Sequence, residues 1–201
     1  MSMKLWQESN SQCGQESLVI SILNEKRNGY YLEIGAWHFK DSSNTFLLES
    51  KLDWVGIAVE ISGKYSRKYN RNRKNRCIKS DALLLNYENL LVAGNFPSIV
   101  DYLQLDIDPS INTFNCLLKI PLEQFQFRVI TFEHDLYVSP QNKIYQDLGH
   151  TYLESFGYVR IAKNVRYNGL AFEDWYVHPS LVPSEATKEL KENVDWQLHF
   201  D

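Results

Sequence analysis

The sequence predicts an α/β fold, a doubly wound and mostly parallel sheet that finishes in an antiparallel hairpin. Three observations carry that expectation. Residues 31–36 and 54–61 are almost continuously apolar, as strands covered on both faces tend to be. Stretches with helical spacing alternate with the strand-like segments through Tyr152. The last two strand-like segments, 158–165 and 172–177, flank Asn168-Gly169, a dipeptide suited to a tight hairpin turn.

Taken in order, residues 17–27 place Val19, Ile22 and Leu23 on one helical face and stop at Asn28-Gly29. This helix should pack outside the first strand, 31–36. A loop from Trp37 to Asp41 leads to a helix that Ser42 or Ser43 is expected to cap, with Phe46, Leu47 and Leu48 beginning its apolar face. The second strand, 54–61, is followed by a helix over 63–74, a third strand over 77–81 and a helix over 83–93. Residues 100–108 alternate in a fourth strand with acids at its exit, and helical spacing resumes over 111–125, where Pro121 should break or restart the helix. A fifth strand spans 128–135, and Ile144, Leu148 and Tyr152 form the apolar face of a helix closed by Gly157. The segment from Ser184 to Asp201 reads as helical at first and then loose.

At 201 residues the chain suits one domain, with its core over 11–180. A hydrophobic content of 44% and a charged content of 23% are those of an ordinary globular protein. The net charge of −4 excludes a global bias toward nucleic acid or anionic membrane. No apolar run approaches a bilayer span and residues 1–4 begin no signal-peptide pattern, so a soluble, cytoplasmic chain is expected. Cys13, Cys77 and Cys116 are odd in number and lack zinc-ligand spacing, which suits reduced, structural thiols.

Open α/β sheets bind ligands at the carboxyl ends of their strands, and this chain collects acids there. Glu33 and Gly35 end the first strand, Glu60 the second and Asp81 the third. A dinucleotide site uses GxGxxG to approach a pyrophosphate, but here Ala36, Trp37 and His38 follow the one glycine. A sulfonium nucleoside has no pyrophosphate, so S-adenosylmethionine fits better than NAD or FAD. In that reading Glu33 lies near the amino-acid end of the cofactor, Glu60 accepts from the ribose diol, Asp81 meets the adenine amino group, and the cofactor carboxylate meets a helix terminus around 42–44. An α/β sheet closed by an antiparallel pair is also the architecture of S-adenosylmethionine-dependent methyltransferases.

A second group gathers at the exits of strands four and five. Alternation puts Asp106 and Asp108 on one side, one toward the sulfonium and the other toward the substrate. Histidine as a residue type titrates near neutral pH, so His134 is a candidate general base, and Glu133 and Asp108 are further catalytic candidates. Asp108, Glu133 and Asp135 offer an alternative as ligands of Mg²⁺. A third group, Lys64, Arg67, Lys68, Arg71, Arg73, Lys74, Arg76 and Lys79, carries no intervening acid and includes Tyr65 and Tyr69. It reads either as a solvated helix face or as a nucleic-acid footprint. Phe172, Trp175, Tyr176 and Trp196 either pack the core or line an acceptor pocket for sugar rings.

With these positions placed, the chain resembles the FkbM-like methyltransferases, a branch of the Rossmann-like class I group. Ser11-Gln12-Cys13-Gly14-Gln15-Glu16 is similar to the family's leading segment. The run from Tyr31 to Ala36, Ser43-Asn44-Thr45, Leu48-Glu49 and the run from Trp54 to Glu60 are similar to its first βαβ signature, and residues 100–108 to its fourth-strand motif. The resemblance implies methyl transfer from S-adenosylmethionine to a hydroxyl of a carbohydrate or secondary metabolite. It implies cofactor roles for Glu33, Gly35, Ala36, Asn44, Glu60 and Asp106. The chain departs from the pattern in lacking a second glycine after Gly35 and in carrying Pro109-Ser110 where the motif has glycine. Two rivals follow: an RNA-directed methyltransferase guided by the 64–79 run, and a non-catalytic nucleoside-binding interaction module.

Overall fold

In the computed structural model, which describes residues 5–187, the strands form one seven-stranded sheet in the order β3-β2-β1-β4-β5-β7-β6. β1 (Tyr30–Ile34), β2 (Val55–Glu60), β3 (Arg76–Lys79), β4 (Ile99–Leu105) and β5 (Gln126–Glu133) are parallel. β6 (Val159–Tyr167) and β7 (Leu170–Val177) pair antiparallel, and β7 inserts beside β5. The turn between them is made by Asn168 and Gly169, both at positive φ, as the dipeptide required. The order places β1 and β4 side by side at the centre, where the connections diverge to opposite sides. That reversal opens a crevice above their carboxyl ends.

Two apolar layers sandwich the sheet. On one face Tyr31, Tyr102, Val129 and Trp175 pack against α1 (Gln15–Ile22) and α2 (Phe46–Leu52) through Leu18 and Leu48. On the other, Leu32, Leu103, Ile130 and Phe132 pack against α4 (Tyr87–Ala93), α5 (Ser110–Leu117) and α6 (Lys143–Ser155) through Leu91, Leu117 and Leu153. α3 (Gly63–Asn72) covers Ala58 and Cys77 with Tyr69. Each fully buried aliphatic side chain contributes about 1.5–3 kcal/mol, so these layers drive the docking of the helices. Cys13, Cys77 and Cys116 are buried and form no disulfide among the described residues.

Several elements depart from the sequence reading, each for a local reason. α1 ends at Ile22 rather than 27, because Asn24 and Glu25 turn to positive φ and free Lys26 to reach Asp101 at 2.5 Å. α2 starts at Phe46 and neither Ser42 nor Ser43 caps it. Its Leu47 N–H donates instead to Glu16 of α1 at 2.6 Å, a cap supplied from another helix. The 83–93 helix is divided into a 3-10 turn at Ala82–Leu84 and α4, capped by Asp81 and Asn86. α5 ends at Leu117, before Pro121.

α6 is rotated from the predicted phase. Ile144 and Leu148 are exposed, and the buried face is Gln146, Gly149 and Leu153. A Cβ at Gly149 would lie 2.7 Å from the Phe132 ring, so glycine permits a close approach that apolar periodicity does not reveal. The segment from Ser184 forms a 3-10 turn to Thr187; the remaining tail and Trp196 lie outside the described residues. Among the described residues no helix is long and apolar enough to cross a membrane.

Candidate active site

A cleft of about 480 Å³ opens over the carboxyl ends of the parallel strands, within the range of small-molecule sites. Gly35 forms its floor. Its φ is +89°, and a Cβ there would fall 1.6 Å from the Asp106 carbonyl oxygen. Only glycine allows the β1 turn to press against the end of β4. The Gly35 and Ala36 N–H groups both donate to the Val59 carbonyl, which holds the turn against β2.

Glu60 and Asp81 line one end of the cleft. The Glu60 carboxylate accepts from the Trp37 N–H at 2.8 Å and the Ser62 N–H at 2.6 Å, and retains lone pairs toward the cleft. Asp81 accepts from the Leu83 N–H at 2.8 Å while its side chain borders the opening. Each is therefore a local cap and a wall of the cleft at once. Trp37, half exposed and edge-on to Tyr65, and Ile61 supply apolar surface beside them.

Three of the expected cofactor residues lie behind this wall. Glu33 is 1% exposed, and its carboxylate accepts from Thr45 Oγ1 at 2.8 Å and from the Tyr69 hydroxyl at 3.4 Å. Burial pushes its pKa up to about 7, against the pull of Arg73. Ala36 and Asn44 are buried and are not among the residues facing the cleft. The helix terminus around 42–44, expected to meet a cofactor carboxylate, does not face the cleft either. Ser43 and Asn44 are buried, and the α2 terminus already holds Glu16, whose pKa burial raises to about 7.

Arg73 corrects the reading of the basic run. It is 8% exposed rather than on the solvated face, and it pairs with Glu49 at 2.9 Å. It also donates to the carbonyls of Phe39 and Thr45 at 3.0 and 2.9 Å, and to Ser43 Oγ and Thr45 Oγ1. One guanidinium thus fastens the loop after β1. Lys64, Arg67, Lys68, Arg71, Lys74, Arg76 and Lys79 are exposed and make no ion pair among the described residues.

At the other end of the cleft stand Asp108 and Glu133, with Asp106 beside Gly35 between the two ends. β4 ends at Leu105, so strand alternation does not place the two aspartates. Thr113 of α5 instead takes over the Ile107 backbone, accepting from its N–H and donating to its carbonyl, and a loop carries both acids into the cleft. Burial raises the pKa of Asp106, helped by Glu173 and Asp135, and burial and Asp135 raise that of Asp108. Tyr137 stacks on Phe172 beside them, with ring centroids 5.8 Å apart. Trp175 and Tyr176, by contrast, are core.

His134 is not in the cleft. β5 ends at Glu133 and the chain turns at Asp135, whose φ is +51°, so the histidine side chain enters the protein. Its ring is fully buried, with Nδ1 accepting from the Leu136 N–H and Nε2 3.3 Å from Asp174. A general base must reach the substrate proton, and the buried His134 ring does not line the cleft. The proposed Mg²⁺ set is corrected too. Asp135 is buried and accepts from Ser110 Oγ at 2.8 Å, and the described residues hold no group of three His, Cys, Asp or Glu arranged for a metal. Gln12, Trp37 and Tyr137 line the cleft without having been assigned a site role from sequence. Only the presence of Gln12 in the leading motif could have marked it.

Comparison with known proteins finds the fold and no family. No family model matches the chain, and no curated protein matches it. Among solved structures, a candidate rRNA-methylase from Clostridium thermocellum aligns at a TM-score of 0.57 with 11% identity, over 88% of this chain and 97% of that one. A candidate O-methyltransferase from Klebsiella pneumoniae aligns at 0.53 with 15% identity, over 82% and 79%. Aeropyrum pernix fibrillarin, solved with natively bound S-adenosyl-L-methionine, aligns at 0.50 with 14% identity, over 79% and 74%. Two of these neighbours are methylase candidates and the third holds S-adenosyl-L-methionine, and the fold of this chain is theirs.

Proposed function

We propose that the chain binds S-adenosylmethionine in this cleft and methylates a hydroxyl of a carbohydrate or small metabolite. The observation that carries the reading is the floor at Gly35, pressed on Asp106 and flanked by Glu60 and Asp81 at the switch point of the sheet. Those residues suit a nucleoside: Glu60 has free lone pairs for a ribose diol, Asp81 an acceptor for an exocyclic amine, and Trp37 and Ile61 apolar surface for a base. The cofactor, when bound, supplies an electrophilic methyl group. Glu33, Ala36 and Asn44 act from behind by holding the loop that Gly35 begins.

The chain's own residues then have three tasks. Asp106 balances positive charge at the centre of the cleft. Asp108, exposed at the cleft and with a raised pKa, takes the proton of the acceptor hydroxyl. Tyr137 and Phe172 hold the acceptor in line, and positioning supplies a large share of such accelerations. Calorimetric titration with S-adenosylmethionine and S-adenosylhomocysteine tests the reading, with NAD as control. Saturable binding of the first two, weakened in Glu60→Ala, is expected; binding of NAD alone, or of none of the three, refutes it.

An RNA acceptor has one observation in its favour, the seven exposed cations of α3 and its surroundings. The acid-lined cleft opposes it, since phosphates there would meet Asp108 and Glu133. Reversing the charge of Arg67, Lys68 and Arg71 should abolish a salt-sensitive RNA association if that reading holds.

A further inference from the structure

The cleft is lined by five carboxylates, Glu60, Asp81, Asp106, Asp108 and Glu133, and by no lysine, arginine or histidine. Glu60 and Asp81 are satisfied by backbone N–H groups. Glu133 is different. It is 4% exposed, faces the cleft, and its carboxylate has no hydrogen-bond or ion-pair partner among the described residues. Next to it, Asp135 Oδ1 is buried and also without a partner. A carboxylate without donors, open only toward a narrow cleft, is stabilised when a positive group arrives there.

The surroundings say where that charge belongs. Glu173 sits directly opposite Glu133 in the β5–β7 ladder, so two like groups share one side of the sheet. Glu173 is served by Trp175 Nε1 and the Gln15 side chain, and burial holds its pKa up to about 8. Glu133 has no such support and opens toward the stacked Tyr137 and Phe172. An acid beside the exposed ring of a tyrosine is a suitable receptor for an ammonium group, through charge and cation–π attraction together.

We propose that the acceptor end of the cleft receives a protonated amine on Glu133, so that the hydroxyl compound taken there is an amino alcohol or amino sugar. The hydroxyl part rests on the methyltransferase reading; the ammonium part rests on the cleft alone. Asp106, at the centre, is the group left for a cationic cofactor, and Asp108 remains for the acceptor hydroxyl. Of the cleft acids without a hydrogen-bond partner among the described residues, Asp106, Asp108 and Glu133, Glu133 is the most buried.

The test uses matched pairs that differ in one group: glucosamine and glucose, serinol and glycerol, 4-amino-1-butanol and 1,4-butanediol. Each is titrated calorimetrically into the full chain with and without S-adenosylhomocysteine. In at least one pair the amine should bind about tenfold more tightly than its hydroxyl partner at neutral pH. Glu133→Gln should abolish that preference while leaving S-adenosylhomocysteine binding unchanged. Tyr137→Leu, at a position 42% exposed, should reduce it. No amine binding tighter than roughly 10 mM, equal binding within every pair, or a preference that survives Glu133→Gln overturns the inference. If S-adenosylhomocysteine fails to bind while the amine preference persists, the cofactor reading falls and the amine site stands.

Discussion

Replacing Arg73 with methionine tests whether one buried guanidinium holds the loop behind the cleft. The side chain keeps its apolar stem but gives up the ion pair to Glu49 at 2.9 Å and the bonds to the Phe39 and Thr45 carbonyls. Glu49 retains the Lys74 N–H and the Tyr31 hydroxyl, yet its charge stays buried without a counter-ion. Removing one partner of such a pair costs about 3–5 kcal/mol. For a chain of this size each kcal/mol lowers the melting temperature by about 2–4 °C, giving a loss of roughly 6–20 °C. Chemical and thermal unfolding of Arg73→Met should show it. Arg71→Met, on the exposed face, should stay within about 0.5 kcal/mol of the parent. Adding Glu49→Gln to Arg73→Met should cost less than the sum of the two, because the orphaned charge disappears. The same loop carries Ser43 to Thr45 under Gly35, so cofactor affinity should fall with stability. If Arg73→Met unfolds within about 1 kcal/mol of the parent, the guanidinium is not the fastening described.

Three further outcomes follow from the same geometry. Gly35→Ala should abolish binding of S-adenosylhomocysteine in calorimetry and destabilise the chain, since the new Cβ meets the Asp106 carbonyl oxygen at 1.6 Å in a left-handed backbone; unchanged affinity would contradict the packing of β1 on β4. The carboxyls of Glu16, Glu33 and Glu173 are raised by burial from 4.5 to about 7, 7 and 8. Their protonated forms favour the fold, so their contribution is complete below the unfolded value and is lost as pH rises through the folded values. The urea midpoint should therefore fall between about pH 5 and about pH 9, and Glu173→Gln should flatten the slope; an unaltered slope refutes the assignment. His134→Ala should lower stability by about 1–3 kcal/mol through the Asp174 network and leave the pH profile of turnover unmoved, whereas intact stability with a lost basic limb would restore its role as base.

The sequence by itself determined the order of strands and helices, the hairpin turned by Asn168-Gly169, and the rim acids Glu60, Asp81, Asp106, Asp108 and Glu133. Each of these depends on near neighbours in the chain: apolar continuity within a strand, a turn dipeptide, a polar residue where an apolar run stops. Only the tertiary structure decided where side chains point once a strand has ended. His134 and Glu133 are adjacent in sequence, yet one is sealed against Asp174 and the other opens to the cleft, because the backbone turns at Asp135. Arg73 looks like its seven basic companions and differs from them only in having Glu49 and the 39–45 loop within reach. Glu16 caps a helix begun 30 residues later. Periodicity records which residues are apolar, but a hydrogen bond between distant segments has no local signature, and it is such bonds that separate the wall of this cleft from the frame behind it.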